Sequence, residues 1–168
     1  VTVRADPGVA SLSGRAELVL APTTDAPLES FTLDLRGPTV ELATIDGEPA
    51  TVSADGPELT VTPAEALEPG VEATVALTYG GVPEPDTFAG LGLPVGWQPD
   101  DAGGWFTMSQ PNGTSTWVPS NDHPSDKATW DITLDVPDGA VGVATGHRQP
   151  DPPAEPGRTA WRWSCLLY

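Results

Sequence analysis

The chain has 168 residues, a length that suits one domain better than two. Its 24 acidic and 7 basic side chains give a formal net charge of −17, which disfavours nucleic acid and anionic membrane surfaces as partners. A single cysteine, Cys165, excludes an intrachain disulfide and a zinc site built on cysteines.

The first half of the chain reads as a series of short strands separated by turns. Residues 31–35 alternate strictly between apolar and polar side chains, the period-two pattern of a half-buried strand. Residues 63–67, with Thr62 as N-cap, predict a single helical turn. Asp-Gly pairs at 46–47 and 55–56 predict hairpin turns. Further strands are predicted at 1–4, 16–20, 40–45, 50–52, 59–61 and 71–79.

The second half continues the β-pattern after a long interruption. Residues 84–104 are rich in Gly, Pro and Asp, which predicts a surface loop anchored by aromatic side chains such as Trp97. Residues 130–136 form the clearest predicted strand, and shorter strands are predicted at 141–146 and 159–163. The whole chain therefore predicts an all-β, antiparallel sandwich over residues 1–168, without a fixed-period repeat, a signal peptide pattern or an apolar run of membrane-spanning length.

Three short motifs follow one another between residues 105 and 138. Residues 107–110 read Thr-Met-Ser-Gln, 117–124 read Trp-Val-Pro-Ser-Asn-Asp-His-Pro, and 127–130 read Lys-Ala-Thr-Trp. In this order they resemble the N-terminal domain of M1-family zinc metallo-aminopeptidases of the aminopeptidase N kind. Met108 stands where that family usually has a first Gln, and His123 stands where a Glu is commoner.

Fragments of the first half are similar to the same family in order and spacing. They are residues 31–35 (Phe-Thr-Leu-Asp-Leu), 45–49 (Ile-Asp-Gly-Glu-Pro) and 77–81 (Leu-Thr-Tyr-Gly-Gly). The resemblance covers nearly the whole chain and implies a saddle-like β-sandwich. It also implies a domain incomplete at both ends, because residues 1–3 already read as mid-strand and the family has one more strand after the last one predicted here. An unpaired sheet edge is therefore expected.

The resemblance implies that this domain contacts the substrate and that a separate catalytic domain holds the zinc ion and hydrolyses the peptide. In the family, zinc is held by a His-Glu-x-x-His helix and a later Glu, which this chain lacks, so the chain alone is expected to bind no zinc and hydrolyse no peptide. The implied role is substrate gating. Gln110 would contact the free α-amino group of a peptide substrate, and Met108 would supply an apolar wall. The implied partners are the peptide N-terminus and the protein's own catalytic domain.

Several alternatives stay open from the sequence. Gln110 also suits an ordinary strand glutamine facing solvent. Asp122 and His123 favour a turn or cap over an acid/base or metal pair. The sequon at 112–114 favours a tight turn over glycosylation. The tryptophans favour core or rim packing over an exposed sugar-binding platform; they are Trp117, Trp130, Trp161 and Trp163. Two other functions remain possible: a non-enzymatic adhesion or carbohydrate-binding sandwich, and an M1-like scaffold that has lost its zinc ligands.

Overall fold

The computed structural model describes residues 1–88, 92–123 and 125–166. Its regular secondary structure is almost entirely β, as predicted, and the one helical element in this part of the chain is a 3₁₀ helix at Thr114–Thr116. The strands are β1 (Thr2–Ala5), β2 (Leu12–Leu20), β3 (Phe31–Asp34), β4 (Thr39–Ile45), β5 (Glu48–Pro49), β6 (Thr51–Asp55), β7 (Glu58–Thr62), β8 (Ala73–Gly81), β9 (Asp86–Phe88), β10 (Leu93–Pro99), β11 (Trp105–Met108), β12 (Trp130–Pro137), β13 (His147–Arg148) and β14 (Arg158–Cys165).

The strands form one large sheet and two small ones. The large sheet has the order β13-β14-β12-β1-β2-β8-β4-β5, and the small sheets have the orders β11-β10-β9 and β3-β7-β6. All described pairs are antiparallel except β1 with β12, which run parallel with Val3 opposite Leu134. The predicted all-β sandwich is confirmed, and the parallel pair is a feature that the hairpin-like sequence did not indicate.

The core lies between the large sheet and the two small ones, and β8 is its centre. Alternate residues of β8 are fully buried because successive side chains of a strand point to opposite faces; these are Val75, Leu77 and Tyr79. Tyr79 donates a hydrogen bond from its hydroxyl to the Trp117 carbonyl oxygen at 2.8 Å. Burial raises the pKa of the Tyr79 hydroxyl, which keeps it protonated as a donor. One buried contact thus joins the central strand to the segment after β11.

A nearly buried arginine ties the start of β14 to the rest of the large sheet. The Arg158 side chain is 9% exposed, and its guanidinium lies 2.7 Å from an Asp135 carboxylate oxygen and 2.6 Å from one of Asp6. A third donor of the same fork reaches the Asp135 carbonyl oxygen at 2.8 Å. Because two carboxylates and a carbonyl accept from the Arg158 guanidinium, its buried charge is compensated. These bonds hold β14 beside β12.

The predictions of a helical turn at 63–67 and of a loop at 84–104 were wrong. Residues 63–67 form no helical turn; instead Leu67 makes an antiparallel bridge with Leu28, whose amide donates to the Leu67 carbonyl at 2.8 Å. Residues 84–104 are not a loop throughout, because they contain β9 and β10. Trp97 of β10 is only 8% exposed, so long-range packing on the core overrides the Gly- and Pro-rich local sequence.

The predicted strand at 141–146 was also wrong, because its backbone joins no ladder with a described strand. The short strand next to it is β13 instead. Pro124, which ends the motif at 117–124, and Leu91, within the predicted loop, lie outside the described residues. Within the described ranges, no helix has the length and apolar character needed to cross a bilayer.

Candidate functional site

Gln110 lies in the turn that follows β11 and not in the strand itself. The strand ends at Met108, and the turn is closed by a hydrogen bond from the Gly113 amide to the Ser109 carbonyl at 2.8 Å. The Gln110 side chain is exposed and Met108 is 41% exposed. The structure therefore brings both predicted substrate-contacting residues to the surface, two positions apart, but it places Gln110 beyond the strand that the motif predicted.

Thr116 fastens this turn to the neighbouring strand. Its side chain is fully buried, and its hydroxyl donates to the Gly113 carbonyl and accepts from the Trp97 amide, both at 2.8 Å. Gly113 has no room for a side chain, because a Cβ atom there would lie 2.5 Å from the Met108 carbonyl oxygen. The Gln110 turn is therefore packed directly against β10 and β11.

Asp122, predicted as a turn or cap residue, holds the other end of the same segment. Its carboxylate accepts a hydrogen bond from the Ser115 amide at 2.9 Å, in the 3₁₀ helix. Its own amide donates to the Asp34 carboxylate at 3.0 Å, and Asp34 and Ser120 exchange backbone hydrogen bonds. An acidic side chain suits this place because amides at a helix start need acceptors.

The two histidines lie apart and neither joins a metal cluster. His123 is exposed, and its Nδ1 atom contacts the Ser125 hydroxyl at 2.7 Å within the same turn. His147 lies in β13 at the surface. In the described ranges, no three His, Cys, Asp or Glu side chains are grouped closely enough to hold a metal ion. The described residues therefore do not fit a zinc ion.

Three tryptophans from β10, β11 and the end of the 3₁₀ helix pack together. The Trp97 ring stacks on Trp105 with centroids 5.9 Å apart and lies 6.2 Å from Trp117. Trp117 is 8% exposed, which supports core packing rather than a sugar-binding platform at this position. Trp97, predicted as an aromatic anchor, is equally buried. At the far end of the large sheet, the Arg148 guanidinium lies 4.7 Å from the Trp161 ring centroid, a cation–π contact.

The residues that position the turn were not identified from the sequence. The local sequence does not mark Thr116, because its role depends on the Trp97 amide, nineteen positions earlier in the chain. Asp34 is a polar residue of the alternating stretch at 31–35, and that alternation does not indicate that its carboxylate accepts the Asp122 amide. Only the loop-closing glycine of the Asn-Gly pair at 112–113 was recognisable as a turn signal.

The chain is similar to solved structures along nearly its whole length. No family model and no curated protein matches the sequence. The M1 zinc metallopeptidase of Deinococcus radiodurans matches it with a TM-score of 0.87 and 32% identity over 97% of this chain. A mutant of that enzyme bound to a Tyr-Ser-Ala substrate matches with a TM-score of 0.86 and 32% identity over 97% of this chain. A two-domain M1 zinc metallopeptidase mutant bound to L-tryptophan matches with a TM-score of 0.88, again at 32% identity and 97% coverage.

This chain spans 37% of the length of each of those three chains, so it corresponds to one part of a peptidase of this kind. Over 97% of its length this chain matches M1 zinc metallopeptidase structures, and its fold is that of the N-terminal β-domain of M1 peptidases.

Proposed function

We propose that this chain is the substrate-gating N-terminal domain of a zinc aminopeptidase, and that Gln110 binds the free α-amino group of the peptide. The observation that carries the proposal is the exposed Gln110 side chain on a turn that packed strands hold in place. Its amide oxygen accepts a hydrogen bond from an ammonium group, and such charged hydrogen bonds contribute roughly 1.5–3 kcal/mol. The similarity to a metallopeptidase bound to Tyr-Ser-Ala supports a peptide as the ligand.

The anchoring of the turn supports this role. Thr116 bonds the Gly113 carbonyl just before the 3₁₀ helix and Asp122 bonds the Ser115 amide within it, while Tyr79 bonds the Trp117 carbonyl just after it. A side chain on a restrained backbone loses little conformational freedom when it binds a ligand, so more of the hydrogen-bond energy contributes to affinity. The turn is thus suited to a fixed recognition contact.

Met108 gives the proposed site an apolar side. It is unbranched, polarisable and 41% exposed at the end of β11, two residues before Gln110. A thioether adapts to side chains of different shapes, and it offers no strong hydrogen bond to the substrate. We infer that Met108 contacts apolar parts of the substrate while Gln110 contacts the amine. Hydrolysis and zinc binding belong, in this proposal, to the catalytic domain of the longer protein.

The test is the substitution Gln110→Ala in the longer protein that contains this domain. We expect kcat/KM for peptides with a free N-terminus to fall about 10- to 100-fold, because one hydrogen bond to a charged group is lost. The measurement is steady-state hydrolysis of short peptides by the zinc-loaded enzyme. Gln98→Ala is the matched control, since Gln98 lies on the adjacent β10 and donates to the Pro94 carbonyl at 3.1 Å.

Two results would contradict this proposal. Equal kinetics for the wild type and Gln110→Ala would remove Gln110 from the substrate site. A zinc-loaded wild-type protein that hydrolyses no peptide would exclude the aminopeptidase activity and favour the inactive scaffold.

A further inference from the structure

Met108 presents the one thioether of this chain to solvent. It is the only methionine among the 168 residues, and it is 41% exposed at the end of β11. The other sulfur atom belongs to Cys165, which is partly buried and whose thiol lies 3.9 Å from the Thr145 hydroxyl. Exposed methionines are common targets of oxidation to the sulfoxide. The Met108 sulfur is therefore open to a small oxidant dissolved in water.

The backbone around Met108 is held by packed neighbours. Met108 pairs with Gly96 of β10 in the antiparallel ladder. Its carbonyl oxygen faces Gly113, where a Cβ atom would lie only 2.5 Å away. The Gly113 amide in turn donates to the Ser109 carbonyl at 2.8 Å. A chemical change at the Met108 sulfur would therefore stay beside the turn that carries Gln110, because the backbone there has little room to move.

We propose that Met108 is a reversible oxidation site, at which hydrogen peroxide converts the apolar side of the substrate site into a hydrogen-bond acceptor. The Met108 sulfur attacks one peroxide oxygen, and an S–O bond forms as the O–O bond breaks. The displaced hydroxide takes the proton of the transferred oxygen and leaves as water. The sulfur is oxidised by two electrons to the sulfoxide while the peroxide is reduced. The proposal rests on the proposed function, in which Met108 contacts apolar parts of the substrate.

The sulfoxide changes which substrates the site favours. Its oxygen is a strong acceptor on an unbranched side chain, much like the carbonyl oxygen of a glutamine side chain. A large apolar side chain of the substrate loses its hydrophobic contact with Met108 and has to displace water from the new polar oxygen. An alanine side chain buries less apolar surface and loses less. Oxidation of Met108 therefore shifts the selectivity away from large apolar N-terminal residues.

Timed treatment with hydrogen peroxide, followed by peptide mass spectrometry, tests the oxidation itself. We expect Met108 to gain one oxygen at a rate within about 10-fold of that of free methionine, both in the 168-residue chain and in the longer protein. In the longer protein the reason is size, because a site that admits a peptide also admits the smaller peroxide. Slower oxidation of Met108 in the longer protein would overturn the proposal. This readout needs neither zinc nor catalysis.

The ratio of kcat/KM for the tripeptide Leu-Ser-Ala to kcat/KM for Ala-Ser-Ala, measured in the zinc-loaded longer protein, tests the consequence. Peroxide should lower this ratio about 5- to 10-fold in the wild type, and a methionine sulfoxide reductase should restore it. Met108→Gln should show a lowered ratio without peroxide, because it carries a permanent acceptor. The ratio of Met108→Leu, which has no thioether, should not respond to peroxide.

Two results of the ratio measurement would overturn the proposal. The first is an unchanged ratio in wild-type protein whose Met108 is fully oxidised, and the second is an equal fall in Met108→Leu, since oxidation elsewhere would then be the cause. Failure of the proposed function has a different sign. Untreated wild-type protein would then hydrolyse no peptide, whereas failure of this proposal alone leaves an active enzyme whose selectivity does not depend on the oxidation state of Met108.

Discussion

Replacing Gly113 by alanine is expected to lower the free energy of unfolding by at least about 2 kcal/mol and to displace the turn that carries Gln110. The added Cβ atom would lie 2.5 Å from the Met108 carbonyl oxygen and 2.6 Å from the Gly96 amide nitrogen. Both are backbone atoms of a paired position between β10 and β11, so neither can move away without disturbing the ladder. The backbone of Gly113, at φ −91°, suits alanine, and the cost is therefore steric.

Urea unfolding monitored by circular dichroism measures the loss of stability. The kcat/KM of the longer protein measures the effect of displacing the Gln110 turn. Asn112→Ala is the control, because Asn112 is an exposed neighbour whose carbonyl still accepts from the Ser115 hydroxyl after the substitution. It should change stability by less than about 0.5 kcal/mol. If Gly113→Ala lowered the free energy of unfolding no more than Asn112→Ala does, that result would contradict the close packing of the turn against β10 and β11.

Replacing Gly14 by alanine is expected to cost about 3 kcal/mol of stability, through a clash in the centre of the large sheet. Gly14 of β2 lies opposite Tyr79 of β8, and an added Cβ atom would lie 2.5 Å from the Tyr79 ring. The ring is fully buried, and its hydroxyl is held by the Trp117 carbonyl at 2.8 Å. Moving the ring therefore disturbs both the core and the segment that bears the site.

A double-mutant cycle checks that explanation. Tyr79→Leu alone should destabilise the protein by about 3 kcal/mol through a cavity and a lost hydrogen bond. In that background, Gly14→Ala should cost less than about 1 kcal/mol, because the smaller side chain leaves room for the methyl group. The measurement is the unfolding free energy of the four proteins in urea. An unchanged cost of Gly14→Ala in both backgrounds would show that the clash with Tyr79 is not its cause.

The strands that the sequence predicted best are those whose alternation is strict and local. Residues 31–35 and 130–136 agree with β3 and β12 within one residue at each end. Their burial pattern is set by the period-two geometry of a single strand, so local sequence is sufficient. The family resemblance rested mostly on other segments, among them residues 107–110, 117–124 and 77–81.

The elements that were missed depend on distant partners. β10 contains Pro94, Gly96 and Pro99, which favour a loop locally, and it becomes a strand because Trp97 packs into the core. Residues 141–144 illustrate the opposite case, because the local pattern predicts a strand and the partner that a ladder needs is absent from the described residues.

The candidate site was predicted only in part for the same reason. The motif indicated Gln110 and Met108 as substrate-contacting residues, and that assignment stays a prediction. The position of Gln110 beyond the end of β11 follows from contacts of Thr116 and Gly113 with other strands, which no local pattern encodes. Asp122 was predicted as a turn or cap residue, but its partner, the Ser115 amide seven residues earlier, was not.

The most direct test of the central claim is the affinity of the longer protein for an amino acid and for the same molecule without its amine. L-tryptophan and indole-3-propionate form such a pair, and a related M1 metallopeptidase has been solved bound to L-tryptophan. Isothermal titration should show that Gln110→Ala weakens L-tryptophan binding about 10- to 100-fold and leaves indole-3-propionate binding unchanged. Equal losses for the two ligands, or no loss for either, would contradict recognition of the substrate amine by Gln110.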